Sequence, residues 1–228
     1  MTQISTQALS IEVSDGARVS GILMTPLEPK ACFVVAHGAG AGMLHPFMET
    51  LANDLAARRV ATLRYQFPYM ERLSRRPDPP ALCHATVRAA ARAAGVLLPA
   101  LPLLAGGKSF GGRMTSQAQA AIPLAEVRSL IFLGFPLHPP KQPSDTRAEH
   151  LSKIRIPMLF VQGARDEFAQ PELLNPVISR LGSLATLRLL PDADHSFRVP
   201  ARGHTTQAQT NSEMLGAILA WIDRVAPA

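Results

Sequence analysis

The sequence predicts an α/β fold, built as a doubly wound, mostly parallel sheet with helices on both faces. Two observations support this prediction. Short apolar runs typical of strands alternate along the chain with segments of helical periodicity. Several of these runs are apolar throughout, as expected for parallel strands that are covered on both faces. Because ligands bind beyond the carboxyl ends of such strands, the residues that follow each run are candidates for function.

The amino-terminal segment is predicted to form a hairpin. The runs ALSIEV and VSGILMTP have strand character, and Asp15-Gly16 between them is a dipeptide typical of a tight turn. The next run, ACFVVAHG, is continuously apolar and stops at Gly38. This pattern predicts a buried strand that ends in a turn.

Two helices and a strand are predicted next. In PFMETLANDLAARR, Phe47, Leu51 and Leu55 recur every four residues, and Pro46 suits a first helical turn. VATLRYQF is the following strand. The alanine-rich segment ALCHATVRAAARAA strongly favours a helix, and Gly95 directly after it is a candidate C-cap.

The remaining elements continue the alternation. In NSEMLGAILAWIDRV an apolar stripe of Met214, Ile218 and Ile222 predicts a carboxyl-terminal helix. With no internal repeat and no long linker, residues 1–228 are predicted to form a single domain. The other predicted strands are LPLLAGG, SLIFLGFP, IPMLFVQG and ATLRLLPDA, and the other predicted helices are GGRMTSQAQAA, RAEHLSKI and PELLNPVISRLG.

The composition argues against nucleic-acid and membrane partners. The net charge is +6, but the basic residues are scattered, and their densest group, Arg72, Arg75 and Arg76, is expected to be a solvated surface loop. No run of 18 apolar residues is present. The sequence gives no indication of oligomeric state.

The cysteines and the amino-terminal sequence predict a cytoplasmic protein without a metal. Cys32 and Cys83 both lie in apolar segments, and no His/Cys ligand spacing accompanies them. Buried free thiols in a reducing compartment are therefore expected. The opening residues lack the basic and apolar regions of a signal peptide.

The stretch AGGKSFGGR fits either a phosphate-binding loop or a turn that presents a nucleophile. A phosphate-binding loop needs a glycine five positions before Gly107, where this chain has Pro102, which lacks the required backbone N–H. A Gly-x-Ser-x-Gly turn between a strand and a helix is satisfied around Ser109. The sequence therefore predicts a serine nucleophile at the amino end of a helix.

A base, an acid and two amide donors can be assigned around this serine. A serine hydroxyl needs a base, and the base needs an acid that orients it. His195 follows one late strand, while Asp166 and Glu167 follow another as alternative acids. The backbone N–H groups of Ala39, in the turn HGAGAGM, and Phe110 are candidates for an oxyanion hole. Along the chain, the serine comes first, the acid second and the histidine third, which is the order of a Ser-Asp-His triad.

The motifs AHGAGAGM, GGKSFGG, VQGARDEF and DADHSF together resemble the α/β-hydrolase family over nearly the whole chain. The sequence is most similar to the compact dienelactone-hydrolase-like branch, although dienelactone hydrolase itself uses a cysteine nucleophile. The resemblance implies Ser109 as nucleophile, His195 as base and Asp166 as acid, since Gly163 and Asp166 match the family's G-x-x-D pattern. It implies no metal or organic cofactor.

The resemblance further implies a serine hydrolase that cleaves an ester or thioester of a small or exposed acyl substrate. The segment PLHPPKQPSDTRAEHLSKIR is too short for a cap domain, so an open pocket is expected. Two alternatives remain: a small-peptide peptidase with the same triad, and a non-catalytic protein-interaction scaffold. Candidate pocket-lining residues are His37, which alternatively fixes its turn, Phe67, which alternatively packs inside its loop, Lys108 and His138.

Overall fold

The structure, a computed structural model, describes residues 3–14 and 16–227. Within these residues it contains eight strands, six α-helices and two short 3₁₀ helices. The strands are β1 (Ile4–Ser14), β2 (Ala17–Pro26), β3 (Ala31–Ala36), β4 (Val60–Tyr65), β5 (Leu103–Lys108), β6 (Val127–Leu133), β7 (Met158–Gly163) and β8 (Ala185–Leu190). The helices are α1 (Pro46–Ala56), α2 (Pro68–Glu71), α3 (Pro80–Leu97), α4 (Phe110–Ala121), α5 (Pro171–Leu181) and α6 (Gln207–Val225), and the 3₁₀ helices span Thr146–Lys153 and Gly182–Leu184.

The strands form one sheet in the order β1-β2-β4-β3-β5-β6-β7-β8. The pairs β1–β2 and β2–β4 are antiparallel, and every other neighbouring pair is parallel. All six residues of β3, of β4 and of β7 are buried. The predicted mostly parallel sheet with strands covered on both faces is therefore confirmed.

Helices cover the sheet on both faces and create two hydrophobic cores. One core joins the sheet to α3, α4 and α5 through residues such as Val87, Met114 and Leu174. The other joins it to α1 and α6, where Leu55, Trp221 and other apolar side chains are buried. Helix α6 has a capping box at Thr206 and begins at Gln207, four residues before the predicted segment.

Several local predictions differ from the structure. Gly95 is not a C-cap but lies inside α3, where a Cβ would come within 3.2 Å of Glu126 Cγ. Helix α1 ends at Ala56, earlier than predicted, and the short α2 was not predicted. The predicted hairpin is present as β1 and β2, but Asp15 of its turn lies outside the described residues.

The predicted site residues lie at one edge of the sheet. The carboxyl ends of β3, β5, β7 and β8 lead into the turns that carry the predicted site residues. Between β6 and β7 the chain forms only an irregular segment and the 3₁₀ helix Thr146–Lys153, so no cap domain covers this edge. None of the helices in the described part of the chain is long and apolar enough to cross a membrane.

Candidate active site

Ser109 lies in a sharp turn between β5 and α4. Its φ of 49° is a conformation that non-glycine residues rarely adopt and that concentrates at functional sites. The flanking glycines allow β3 to approach: a Cβ on Gly107 would lie 2.3 Å from the Ala36 carbonyl oxygen, and one on Gly111 would lie 2.6 Å from it. Side chains at these two positions would push the turn away from the sheet, which explains the Gly-x-Ser-x-Gly pattern.

The structure brings Ser109, His195 and Asp166 together in one hydrogen-bonded chain. His195 Nε2 lies 2.8 Å from Ser109 Oγ, and His195 Nδ1 lies 2.7 Å from Asp166 Oδ2. Because a carboxylate oxygen accepts, Nδ1 donates to it, and Nε2 is left to accept the serine proton. The Asp166 side chain is fully buried, whereas that of His195 is 20% exposed. The imidazole is thus anchored to a buried carboxylate and remains partly accessible to a ligand.

Asp166, rather than Glu167, makes the contact with the histidine. Its carboxylate also accepts a hydrogen bond from the Gln162 side-chain amide and one of 2.8 Å from the Phe168 backbone N–H. The Phe168 ring lies edge-on to His195, with centroids 4.6 Å apart. Sequence reasoning missed Gln162 and Phe168, although Gln162 is the one polar residue in the run MLFVQG.

Lys108 ties the nucleophile turn to the histidine loop. Its Nζ donates a 2.6 Å hydrogen bond to the His195 carbonyl oxygen and lies 5.1 Å from the centre of the Phe197 ring. Burial lowers the Lys108 pKa to about 8, while the carboxylates of Asp166 and Asp194 act in the opposite direction. This side chain therefore connects the two loops that supply the nucleophile and the base.

The two predicted amide donors both belong to the edge of the sheet that carries Ser109. Phe110 is the first residue of α4, so its N–H has no partner inside the helix. Ala39 lies in the exposed turn after β3 and lines the same cavities as Ser109. Within residues 3–14 and 16–227, neither amide has a hydrogen-bond acceptor. Both are free to donate to a ligand.

His37 fixes the turn that carries Ala39. It is fully buried, and burial lowers its pKa to about 4, so the imidazole is neutral at pH 7. Its Nε2 accepts from the Phe67 backbone N–H at 3.2 Å, and its Nδ1 donates to the Gly38 carbonyl oxygen at 2.7 Å. Of the two roles considered for His37, the structure supports the fixing of the turn and not the lining of a pocket.

Two cavities meet at Ser109 and His195. The larger has a volume of about 480 Å³ and the smaller one of about 230 Å³. Lys108 lines the smaller cavity. Its other lining residues include Gly38, Ala41, Phe47 and Met48, and those of the larger cavity include Pro77, Phe110, Arg113, Pro136, Arg147 and Phe168.

The expectation that Phe67 and His138 line the pocket is wrong. Phe67 is fully buried against Tyr65, Tyr69 and other rings, so it belongs to the hydrophobic core. His138 is also buried, with Nδ1 2.8 Å from the Pro139 carbonyl oxygen and Nε2 2.8 Å from the Gln170 side chain. Both nitrogens of the His138 ring are thus engaged in structural hydrogen bonds.

No group of three or more His, Cys, Asp or Glu side chains in the described residues is arranged to hold a metal ion. Cys32 and Cys83 are both free and buried, as predicted, and burial raises their pKa values to about 12 and about 11. These thiols are therefore protonated at neutral pH, and they lack the thiolate form that makes a cysteine reactive.

Comparisons with known proteins agree with this architecture. A family model described as "Alpha/beta hydrolase domain" matches residues 29–223. The chain is similar to a dienelactone hydrolase from Anabaena variabilis, with 20% identity, a TM-score of 0.78, and coverage of 98% of this chain and 99% of that one. It is also similar to a Xanthomonas campestris protein described as an α/β serine hydrolase without a lid (22% identity, TM-score 0.75, coverage 98% and 96%). A third similar structure is Est1E from Butyrivibrio proteoclasticus (17% identity, TM-score 0.68, coverage 93% and 99%).

Proposed function

Because the chain belongs to the alpha/beta hydrolase family, we propose that it is a serine hydrolase that cleaves an ester or thioester bond of a small or exposed acyl substrate. The observation that carries this proposal is the hydrogen-bonded chain from Ser109 Oγ through His195 to Asp166. A buried acid, an oriented imidazole and a serine in a strained turn form the arrangement that acyl transfer needs.

The reaction proceeds through an acyl-enzyme. Ser109 Oγ attacks the substrate carbonyl carbon while its proton passes to His195 Nε2. Asp166 holds the imidazole in the required tautomer and stabilises the imidazolium that forms. The imidazolium then protonates the departing alcohol or thiol. Water attacks the acyl group in the second half, with His195 again taking the proton and returning it to Ser109.

The negative charge of the tetrahedral intermediate is stabilised by the Ala39 and Phe110 amides. Each such donor contributes on the order of 10²–10³ in rate at comparable sites. Phe110 also lies at the amino end of α4, where the helix dipole favours negative charge. Since two cavities meet at Ser109, one can take the acyl part and the other the leaving group.

A fluorophosphonate probe tests this proposal, because it reacts with an activated serine whatever the natural substrate is. We expect rapid formation of an adduct that mass spectrometry locates on Ser109. The adduct should disappear in Ser109→Ala and form at least 100-fold more slowly in His195→Ala, since the hydroxyl then lacks its base.

The chain offers a matched control in a second serine–histidine pair. Ser116 Oγ lies 2.7 Å from His150 Nε2, but Ser116 is buried, and no carboxylate in the described part of the chain bonds His150. Ser116→Ala should therefore label like the wild type. A folded wild-type protein that forms no adduct would contradict the proposal and favour a protein-interaction scaffold. Peptide cleavage without ester cleavage would favour the peptidase alternative.

A further inference from the structure

Two arginine side chains lie in the larger cavity together with the proposed nucleophile. Arg113 and Arg147 line this cavity together with Ser109 and His195. Arg113 lies one helical turn after Ser109, and its backbone N–H donates to the Ser109 carbonyl oxygen at 3.1 Å. Residues four apart share one face of a helix, with Cβ atoms about 5–6 Å apart. The Arg113 side chain therefore leaves α4 on the side that carries the nucleophile.

Arg147 reaches the same cavity from another element. It belongs to the 3₁₀ helix Thr146–Lys153, and its Nη1 donates a 2.9 Å hydrogen bond to the His138 carbonyl oxygen. Arg113 in turn has its guanidinium carbon 5.7 Å from the centre of the Phe110 ring. These contacts fix both groups at the cavity while using few of their N–H donors.

Neither arginine has a carboxylate partner among the residues that the structure describes. In residues 3–14 and 16–227, no salt bridge involves Arg113 or Arg147, and Arg113 Nε is buried without a hydrogen-bond acceptor. Burial, and then the charge of Arg147, lower the pKa of Arg113. Both nevertheless remain charged, because a guanidinium stays protonated in proteins.

The other charged group of the cavity is already neutralised. Asp78 lines the cavity, but its Oδ1 forms an ion pair with Arg72, while its Oδ2 is buried without a hydrogen-bond partner among the described residues. His150, next to Arg113, has its pKa lowered to about 4, mainly by burial, so it is neutral at pH 7. The cavity beside Ser109 thus carries two positive charges with which no carboxylate in the described part of the chain forms an ion pair.

Building on the proposed hydrolase function, we propose that Arg113 and Arg147 bind an anionic group of the substrate. The preferred substrates are then esters or thioesters that carry a carboxylate or a phosphate a few bonds from the scissile carbonyl. The planar guanidinium matches the two oxygens of either anion. The cavity of about 480 Å³ also suits a small molecule.

Two pairs of esters test this inference, each differing only in a terminal methyl group or carboxylate. Methyl pentanoate and monomethyl glutarate place the charge on the acyl side, while propyl acetate and 3-acetoxypropionate place it on the alcohol side. We expect kcat/KM to be on the order of tenfold to a hundredfold higher for the anionic ester of one pair. Inhibition by glutarate and by inorganic phosphate then distinguishes carboxylate from phosphate as the preferred anion.

The readout in variants is the ratio of kcat/KM for the anionic and neutral esters, because a general loss of activity cancels from it. Arg113→Met and Arg147→Met should each lower this ratio at least fivefold, since each removes a charge-assisted contact. Arg113→Lys should keep part of it. Arg128→Met is the matched control, because Arg128 is exposed near the amino end of β6, at the opposite edge of the sheet. It should leave both esters unaffected.

A binding measurement separates this inference from the proposed function. Calorimetry on Ser109→Ala protein should detect monomethyl glutarate or 3-acetoxypropionate, and Arg113→Met on that background should abolish the signal. If the wild type cleaves no ester yet this binding is present, the hydrolase proposal fails and the anion site stands. Ester cleavage without any preference for the anionic partner overturns the anion site, as does a preference that survives both arginine variants.

Discussion

At the scale of single residues, the most informative side chain outside the triad is Lys108. Its ammonium group joins the turn before Ser109 to the carbonyl of His195, so it acts on the base through the backbone rather than on the substrate. A lysine with a lowered pKa in a cavity can also be a reacting group. Here its hydrogen bond to the histidine loop explains its position, and we interpret it as a positioning residue.

We predict that Lys108→Met slows the reaction of Ser109 with a fluorophosphonate by about tenfold, because a charge-assisted hydrogen bond that holds His195 is lost. The effect should fall on kcat, with little change in KM, in ester hydrolysis. Lys153→Met, on the exposed surface of the 3₁₀ helix Thr146–Lys153, is the control and should react like the wild type. An unchanged rate in Lys108→Met would contradict the positioning role.

His37 predicts a dependence of stability on acid. Its pKa is about 4 in the folded chain and about 6.5 when unfolded, so the unfolded state binds the proton first. The titration of His37 therefore leaves the free energy of unfolding unchanged above pH 6.5 and lowers it as the pH drops towards 4. One pKa unit corresponds to about 1.4 kcal/mol, so His37 alone accounts for about 3 kcal/mol of this loss.

Denaturant unfolding of wild-type and His37→Gln proteins at pH 7 and pH 4 measures this loss. The difference between the two pH values should be smaller in His37→Gln by an amount of this order. His204→Gln, at an exposed histidine, should retain the wild-type difference. Equal pH dependence in the wild type and His37→Gln would show that His37 does not carry the effect.

At the scale of elements, α3 shows how packing overrides a local signal. An alanine-rich helix followed by glycine favours a C-cap at Gly95, yet the helix continues to Leu97. The Glu126 side chain lies close to Gly95, which explains why a small residue is favoured at this position. A glycine within a helix costs up to about 1 kcal/mol relative to alanine.

We therefore predict that Gly95→Ala stabilises the protein by about 0.5–1 kcal/mol, because the exposed Glu126 side chain can move by the few tenths of an ångström that a Cβ requires. Gly182→Ala should destabilise it, since Gly182 ends α5 with a φ of 58°. Denaturant unfolding of both variants provides the comparison. Destabilisation by Gly95→Ala would mean that the Glu126 side chain cannot move away from the added Cβ.

At the scale of the whole molecule, the two hydrophobic cores share a single sheet. The core against α3, α4 and α5 and the core against α1 and α6 are opposite faces of the same strands. Neither face can lose its helices without exposing strands that are apolar throughout. We infer that residues 1–228 form one cooperative domain.

This inference predicts one unfolding transition. The single tryptophan, Trp221, reports on the core against α6, where its Nε1 donates to Ser129 Oγ at 3.0 Å. Its fluorescence, the far-ultraviolet circular dichroism and the fluorophosphonate reactivity of Ser109 should change at the same denaturant concentration. Two separate midpoints would show that the chain contains more than one folding unit.

The sequence by itself determined the fold class and the identity of the candidate triad. The fold class and the position of the serine depend on local physical requirements. A strand covered on both faces must be apolar throughout, and a strained turn packed against β3 must have glycine at 107 and 111. The α/β-hydrolase resemblance implies an acid and then a histidine after the serine, at strand ends, and its G-x-x-D pattern selects Asp166 over Glu167 beside His195.

Only the tertiary structure decided which other side chains reach the cavity. Phe67 and His138 follow strands, as site residues do, but packing turns both into the interior. Arg113 and Arg147 lie on a helix and in a surface segment, far apart in sequence, and no local pattern links them. The physical reason is that the direction of a side chain beyond a strand end depends on contacts between distant segments, which composition and periodicity do not encode.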